Sequence, residues 1–339
     1  MDHIAIDLGG RESQVCVRSA DGQIKEERRV KTEELAAYLA KRPSGRVVME
    51  TCAQSFGLAD AALAQGHQVR VVAATLVRSL GVGARRTKTD RRDAQVLSEV
   101  SCRIDLPSVH IPSTTSRQRK SMCGMRDVLV RTRTSLINSL RGWLRTQGQR
   151  LKIGSVKCFA ERVRALYADQ ELPAYVERQL ETLKLLMTQT EAADRELAEL
   201  AKSDPVCRRL MTVPGVGPVT AVRFVAALDD VRRFAKAHAV ESYLGLVPGE
   251  DSSSERKRRT SITKAGPSAL RWTLVQAAWA ARRCRRADPM LLWAREVEKR
   301  RGRRVAILAL ARKLAGILFA LWRDGSVYAS ERGASVMTA

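Results

Sequence analysis

The first 73 residues carry the pattern that most constrains the fold: short apolar segments that alternate between strand and helix periodicity. The pattern predicts, in chain order, strands over residues 4–7, 14–18 and 24–30, a helix over 32–40, a strand over 46–50, a helix over 56–65, a strand over 68–73 and a helical segment toward residue 80. This β-β-β-α-β-α-β-α order is that of a ribonuclease-H-like domain with a central mixed sheet. We therefore expect an α/β domain over residues 1–110.

Two carboxylates lie where predicted strands end. Asp7 ends the first strand and Glu50 ends the fourth. In open α/β sheets, functional groups converge at the carboxyl ends of strands, so these acids are expected to meet. The segment at residues 7–10, Asp-Leu-Gly-Gly, is also compatible with a phosphate-binding turn of the actin and sugar-kinase type. That alternative requires a second Gly-rich loop and an adenosine-binding loop, and we find neither in the sequence.

Two more acids, Asp90 and Asp93, lie three residues apart at the start of a helix predicted over residues 93–101. An acid at this position also serves as a cap or as a partner of the helix dipole. With Asp7 and Glu50, however, they form a set of four hard oxygen ligands of the kind that Mg²⁺ prefers. Four carboxylates gathered without a cation would repel one another. We predict that all four are catalytic and hold magnesium for phosphoryl transfer.

The charge of the chain indicates a polyanionic partner. Lys and Arg number 60 against 36 Asp and Glu, which gives a net charge of +24. Each phosphate that such a surface neutralises releases counterions, so nucleic acid is the expected partner. A membrane role is disfavoured because the charges are spread along the chain and no apolar run approaches the roughly 20 residues of a membrane span. The seven scattered cysteines lack zinc-site spacing, which favours reduced thiols and a cytoplasmic protein.

Two long amphipathic helices are predicted after the first domain, over residues 115–150 and 174–201. Apolar residues recur at helical spacing in both, and arginines surround those of the first helix. The pattern is equally compatible with an antiparallel hairpin and with a coiled coil between chains. We assign residues 111–203 to these coiled-coil and linker helices.

The last predicted domain, over residues 204–325, begins with a Gly-x-Gly turn at Gly215 and Gly217. The turn resembles a helix-hairpin-helix, whose backbone amides receive a phosphate, although it could also be only a tight turn.

A polar loop over residues 249–266 then carries Ser252, Ser253 and Ser254. These serines are followed by the cations Arg256, Lys257, Arg258, Arg259 and Lys264. Such a loop is either a flexible nucleic-acid contact or the site of a serine nucleophile. Helices are predicted over residues 268–283 and 303–322, followed by a frayed tail at 326–339.

Taken together, these motifs resemble those of the DEDD-type insertion-sequence transposases, the bridge-RNA-guided recombinases with a RuvC-like N-terminal domain. The resemblance rests on Asp7, the strand end at Glu50, the Lys-Thr-Asp-x-x-Asp-Ala run at residues 88–94, the Val-Pro-Gly-Val-Gly hairpin at 213–217, the Gly-Leu-x-Pro motif at 245–248, and the Ile-x-Lys-x-Gly-x-x-x-Leu-Arg motif at 262–271. These motifs occur in the family's order over nearly the whole chain.

The resemblance implies a magnesium-dependent transposase that forms a covalent phosphoserine with DNA and exchanges strands through a Holliday-junction-like intermediate. A noncoding guide RNA would pair with donor and target DNA. The resemblance also implies a homodimer or homotetramer held by the coiled coil, in which the two domains of one active site come from different protomers. The family's nucleophile lies five residues after the motif proline, which is Ser253 here, although Ser254 stands where the family usually has glycine. Arg11 replaces the family's usual lysine near the first acid. The nucleic-acid contacts we predict are Arg11, Lys88, Gly215, Gly217, Arg256, Lys257, Arg258, Arg259, Lys264 and Arg271.

Two alternatives remain open at this point. The first is a RuvC-like nuclease that cleaves branched DNA with metal-activated water, in which the acids are essential and the serines are dispensable. The second is a non-catalytic nucleic-acid-binding protein whose acids are structural.

Overall fold

The structure is a computed structural model that describes residues 1–79, 90–250, 259–284 and 288–329. The chain divides into two compact units, Met1–Pro112 and Ser113–Ala339. The four-part division expected from the sequence stays a prediction.

The first unit is an α/β domain built on five strands. Its elements are β1 (His3–Asp7), β2 (Glu12–Arg18), β3 (Ile24–Lys31), a 3-10 turn (Thr32–Glu34), α1 (Leu35–Ala40), β4 (Arg46–Glu50), α2 (Ser55–Ala64), β5 (Gln68–Val72), α3 (Ala74–Ser79) and α4 (Asp90–Arg103). The predicted mixed α/β fold is confirmed. The prediction that the fourth helix starts at Asp93 is wrong, because α4 begins one turn earlier and both acids belong to it.

The sheet has the strand order β3-β2-β1-β4-β5. The first three strands pair antiparallel, whereas β1–β4 and β4–β5 pair parallel, which makes the sheet mixed. Side chains alternate between its faces. Ile4 and Ile6 lie on the face covered by α1 and α2, and Ala5 lies on the opposite face in the same apolar cluster as Leu97 of α4. This arrangement fits a ribonuclease-H-like domain.

The second unit is mostly helical. Its elements are α5 (Thr114–Thr146), α6 (Phe159–Ala165), α7 (Ala174–Ser203), α8 (Pro205–Leu210), α9 (Pro218–Leu228), a 3-10 turn (Val231–Arg233), α10 (Ala237–Tyr243), β6 (Pro248–Glu250), β7 (Arg259–Ile262), α11 (Ser268–Arg282), α12 (Pro289–Arg301) and α13 (Arg303–Asp324). Sequence reasoning missed α6, α10, α12 and the two short strands.

The two long helices α5 and α7 pack against each other within the chain, and they run antiparallel. Arg119 near the start of α5 bonds Asp204 at 2.6 Å, just after the end of α7, while the indole nitrogen of Trp143 near the end of α5 lies 3.3 Å from Tyr175 Oη at the start of α7. Leu140 and Leu180 belong to one buried apolar cluster between the two helices. The hairpin alternative is therefore the one present in this chain.

Helix α13 lies in the core of the second unit. By length and composition alone, α13 could cross a membrane. The prediction that no apolar run approaches the length of a membrane span is therefore wrong for this helix. Half of its apolar window is buried inside the protein, and Leu310, Leu314 and Leu318 are completely buried. Because a core helix of a globular protein has this same profile, the length of α13 is weak support for a span.

The chain remains ordered just beyond α13. The Tyr328 hydroxyl donates to the carboxylate of Asp288 at 2.9 Å, and the Tyr328 amide donates to Thr212 Oγ1 at 2.9 Å. Asp288 is buried and also accepts from the backbone N–H of Met290 at 2.9 Å as the cap of α12. Tyr328 lies in the tail predicted from residue 326 and is bonded to the second unit, and the extent of that tail stays a prediction.

Candidate active site

Asp7 and Glu50 lie side by side at one edge of the sheet. Each ends its strand, and β1 and β4 pair in parallel with Ile6 opposite Met49, which puts the next residues, Asp7 and Glu50, in neighbouring positions. Asp7 lies two residues beyond Ala5 and Glu50 two residues beyond Val48, so both carboxylates belong to the face that α4 covers. Both are half-buried. The expected convergence at the strand ends is present for these two acids.

Helix α4 brings Asp93 toward the same edge. It is anchored to β1 at its far end, where His3 Nδ1 lies 2.8 Å from Ser101 Oγ. Four residues of the helix rise about 6 Å and two residues of the strand rise about 6.6 Å. Every fourth residue of α4 therefore lies opposite every second residue of β1. One step from His3 and Ser101 come Ala5 and Leu97, which share an apolar cluster. The same spacing predicts that the next step places Asp93 near Asp7. Asp93 is 8% exposed.

Hydrogen bonds and an ion pair join the first half of α4 to side chains of β2 and β3. The guanidinium of Arg91 pairs with Glu27 on β3 at 2.5 Å, and Gln95 also donates to Glu27. The bond from Arg91, followed by that from Gln95, keeps the pKa of Glu27 below its usual value even though burial opposes this shift. One turn further along α4, Arg18 Nε donates to Ser98 Oγ at 2.9 Å. These bonds fix the rotation of the helix, and with it the direction of Asp93.

Sequence reasoning missed these supporting residues. Burial, followed by the positive charges of Arg46 and the N-terminus, lowers the pKa of His3. The available signal was the spacing of Ser98 and Ser101, two small polar residues on the otherwise apolar face of α4. That spacing marks the buried face of α4, but it does not identify the strand that this face covers.

The chemistry of the donors suits a divalent metal ion, although the described residues do not present a ready-made cage. Asp7, Glu50 and Asp93 are carboxylates, and hard cations bind oxygen ligands. Within the described ranges, no three His, Cys, Asp or Glu side chains come close enough together to hold an ion. The fourth predicted ligand, Asp90, is the first residue of α4, and its side chain lies outside the described part. The oxygen chemistry of these donors therefore fits a divalent metal ion, whereas the described residues alone do not assemble three of them around one point.

Arg11 lies on the other side of this edge. It lines a cavity of about 920 Å³ together with Leu8, Lys31 and Gln54, and Leu8 packs with the apolar cluster on the α1 and α2 face. The predicted phosphate contact of Arg11 would thus be made from the face opposite to α4. Lys88 lies outside the described residues.

The serine loop joins two short antiparallel strands. Pro248 of β6 pairs with Ile262 of β7, and Glu250 pairs with Arg259. The predicted polar loop is thus partly a β-hairpin. The nucleophile candidates and three of the predicted cations lie outside the described residues, namely Ser252, Ser253, Ser254, Arg256, Lys257 and Arg258, as does the side chain of Arg259.

The base of this hairpin is tightly built. Gly245, the first residue of the Gly-Leu-x-Pro motif, has φ +63°, and an added Cβ would lie 2.4 Å from the backbone N and O of Ala265. Arg271 Nη1 donates to the carbonyl oxygens of Leu244 at 2.9 Å and of Ala265 at 2.7 Å. These contacts tie both ends of the hairpin together. Arg271 thus has a structural task, and Lys264 is exposed beside it.

The Gly-x-Gly turn links α8 and α9. Gly215 has φ +84° and is pressed against α11, where an added Cβ would lie 2.3 Å from Ala277 O. Gly217 precedes α9 with φ −103°, and nothing lies within 4 Å of its Cβ position. Close packing against α11 therefore accounts for the first glycine, while the second remains available for a phosphate contact.

Comparison with known proteins agrees with this architecture. Residues 4–147 match the DEDD model of the IS110 group, described as a transposase, and residues 207–291 match the model described as the transposase IS116/IS110/IS902 family. A Pseudomonas aeruginosa protein described as a probable family 20 transposase is 30% identical over 97% of this chain and 98% of its own length. The chain belongs to the IS116/IS110/IS902 transposase family. Two relatives are transposases for insertion elements, IS1111A of Coxiella burnetii (29% identical, covering 96% of this chain and 90% of the relative) and IS1328 of Yersinia enterocolitica (28% identical, covering 96% and 98%).

Membership of the IS116/IS110/IS902 transposase family decides several expectations. The protein is an enzyme that cleaves and rejoins DNA, so the predicted transposase is confirmed and the alternative of a non-catalytic binding protein is wrong. DNA is a partner, and a DEDD-type domain implies a divalent metal ion. The roles of the individual site residues stay predictions.

Proposed function

We propose that this transposase excises and inserts its own element with Mg²⁺ bound by Asp7, Glu50, Asp90 and Asp93, and with Ser253 as the nucleophile. The observation that supports the proposal is that β1 and β4 end side by side, which puts Asp7 next to Glu50. Helix α4 packs on the face of the sheet to which both acids belong, and its spacing against β1 predicts that Asp93 lies near them. When bound, Mg²⁺ would supply positive charge to phosphate oxygens and lower the pKa of a coordinated hydroxyl or water.

The chain's own residues would carry the serine step. Ser253 Oγ attacks a DNA phosphorus, the new bond from oxygen to phosphorus forms, and the bond to one sugar oxygen breaks. The serine proton ends on the released sugar hydroxyl, and attack by a sugar hydroxyl of another strand reverses the sequence and frees Ser253. One phosphodiester replaces another, so no energy source is needed. The cations after the serines, with Lys264, would stabilise the charge on the phosphate.

The proposed nucleic-acid surface combines charge with backbone amides. The net charge of +24 supports binding of DNA and of a guide RNA, which the family resemblance implies. In the second unit, the predicted helix-hairpin-helix would offer the amides around Gly217 to a phosphate. The remaining contacts would come from the cations predicted around the two sites. The enzyme would act in the cytoplasm, at the nucleoid.

We further propose that copies of the chain associate through the outer surface of the α5–α7 pair, as a homodimer or homotetramer with a coiled-coil contact. Three large apolar side chains are exposed there, Met125 at 70%, Val128 at 48% and Leu185 at 60%. Covering such residues in an oligomer removes apolar surface from water. In this arrangement the acids and the serine of one active site would come from different protomers.

The decisive experiment incubates the full chain with its element-flanking RNA, a labelled donor and target DNA pair, and Mg²⁺, followed by a denaturing protein gel. We expect labelled DNA at the mass of the protein. The label should vanish in Ser253→Ala and in Asp7→Ala, while nucleic-acid binding remains.

Matched controls are Ser252→Ala and Ser254→Ala, which remove neighbouring hydroxyls and should retain the labelled band. A band that persists in Ser253→Ala and disappears in one neighbour would move the nucleophile by one position. Cleaved DNA without any labelled protein would instead support the nuclease that uses metal-activated water. A reaction that proceeds equally without RNA would remove the guide from the proposal.

A further inference from the structure

A basic cavity lies at the end of α5, far along the chain from the residues assigned so far. It has a volume of about 340 Å³ and is formed by the last turn of the helix and the segment that follows. Its lining consists of Arg141, Leu144, Arg145, Gln149, Arg150 and Leu151. Three guanidinium groups and an amide thus surround a cavity that has no acid in its lining.

These three arginines contrast with their neighbours on the same pair of helices. Arg119, Arg126 and Arg164 each pair with an Asp or Glu of the second unit. Within the described ranges, Arg141, Arg145 and Arg150 form no ion pair. The Nε of Arg141 is buried without a hydrogen-bond partner, as is the Nε of Arg119. Buried donors normally have partners, because an unpaired donor costs the free energy of its desolvation. What distinguishes the cavity is the positive charge of three arginines that no acid offsets, and this charge is available to an anion.

Helix capping does not account for the cluster. Arginines near a C-terminus often bond the last carbonyl groups of a helix. Here those carbonyl oxygens are already satisfied by backbone amides: Leu144 O accepts from Gln149 N at 2.8 Å, and Arg145 O accepts from Gly148 N at 3.0 Å. Backbone amides occupy the capping role, and the guanidinium groups are left for another task.

One of the three arginines is held in place before any ligand arrives. The guanidinium of Arg141 lies 5.6 Å from the centre of the Phe159 ring, within the range of a cation–π contact. The other two are exposed and can close on a ligand. One fixed guanidinium group beside two that can change conformation suits a tetrahedral anion that accepts several hydrogen bonds.

We infer that this cavity binds a phosphate of a nucleic-acid backbone, in either DNA or RNA. The inference rests on the proposed function only in that the transposase binds nucleic acid, and it adds a contact that none of the sequence motifs indicated. Because a single phosphate is recognised by charge and shape, the cavity contributes affinity and position without reading sequence.

The test is fluorescence anisotropy on the full chain, with labelled duplex DNA and labelled stem-loop RNA measured separately over a series of salt concentrations. The variant is Arg145→Gln with Arg150→Gln, since both side chains are exposed and their loss should leave the fold intact. The matched control is Arg178→Gln with Arg195→Gln, two exposed arginines of α7 that remove the same charge from the same helix pair.

We expect the cavity variant to raise Kd roughly tenfold more than the control does, with a salt slope smaller by about one. A loss confined to DNA, confined to RNA, or shared by both would support the site and identify its source of phosphate. Equal small effects of the two variants on both nucleic acids would overturn it. Because the assay reads binding alone, its result is independent of whether Ser253 and the four acids carry the chemistry.

Discussion

Replacing Gly215 by alanine should destabilise the second unit because two separate costs coincide at this position. The residue has φ +84°, a left-handed conformation that disfavours any side chain. An added Cβ would also lie 2.3 Å from Ala277 O, 2.6 Å from Ala281 N and 2.7 Å from Ala281 Cβ. Two of these atoms belong to the backbone of α11, and the third is attached directly to it. The helix as a whole must therefore shift, since no flexible side chain can move aside.

The size of the effect follows from these two terms. A left-handed conformation costs a residue with a Cβ about 1–2 kcal/mol relative to glycine. Forcing an extra methyl group into a packed contact costs about 1–3 kcal/mol more. The expected loss in the free energy of unfolding is therefore about 2–5 kcal/mol, a large share of the total stability of about 5–15 kcal/mol that is usual for a domain.

The assay is denaturant unfolding of the full chain, followed by far-UV circular dichroism, with Gly217→Ala as the control. Gly217 belongs to the same turn, has φ −103° and has nothing within 4 Å of its Cβ position, so alanine fits. We expect the control to change stability by less than about 1 kcal/mol. Equal losses at the two glycines, or no loss at Gly215, would refute the packing role of the turn.

Three further predictions concern buried polar groups. Asp204→Ala removes the acceptor for the N–H groups that begin α8, so denaturant unfolding should show a loss of about 1–2 kcal/mol. Arg223→Met leaves Asp127 without its 2.8 Å partner and should cost about 3 kcal/mol, whereas the double variant with Asp127→Leu should recover much of this loss. Burial lowers the pKa of His3 from its ordinary value of 6.5, so the unfolded chain takes up the proton more readily. Stability should therefore be lost as pH falls from about 6.5 through the lower folded pKa, and a pH series on His3→Gln should show a flatter profile.

Part of the candidate site was predictable because it depends on local periodicity. Strands of alternating or continuous apolar character end where a charged residue follows, which marked Asp7 and Glu50 as strand ends. Strand order then follows from general rules of sheet connection, so their meeting at one edge could be expected. The boundary of α4 was less predictable, since Asp90, Arg91 and Arg92 are as typical of a loop as of a first helical turn.

Long-range partners were not predictable from local patterns. The bond between His3 and Ser101 joins residues that are 98 positions apart, and it selects which strand α4 covers. Similarly, Arg271 had the composition of a nucleic-acid ligand, but it donates to two backbone carbonyl groups at the base of the serine hairpin. A charged side chain has the same sequence signature in either role, and only its neighbours decide between them.

The amino-acid sequence by itself determined the mixed sheet and the long helices, because these follow from the period of the apolar side chains. It also put Asp7 and Glu50 at strand ends, whereas the joint role of the four acids stays a prediction. Only the tertiary structure decided that the two long helices pair within one chain and that Gly215 is a packing contact. It likewise decided that Arg141, Arg145 and Arg150 surround one cavity at the end of α5. The physical reason is that each of these contacts joins residues that are distant in the sequence and meet only in the folded chain. Such contacts are selected by the burial and hydrogen bonding of the whole unit, so no short segment of sequence predicts them.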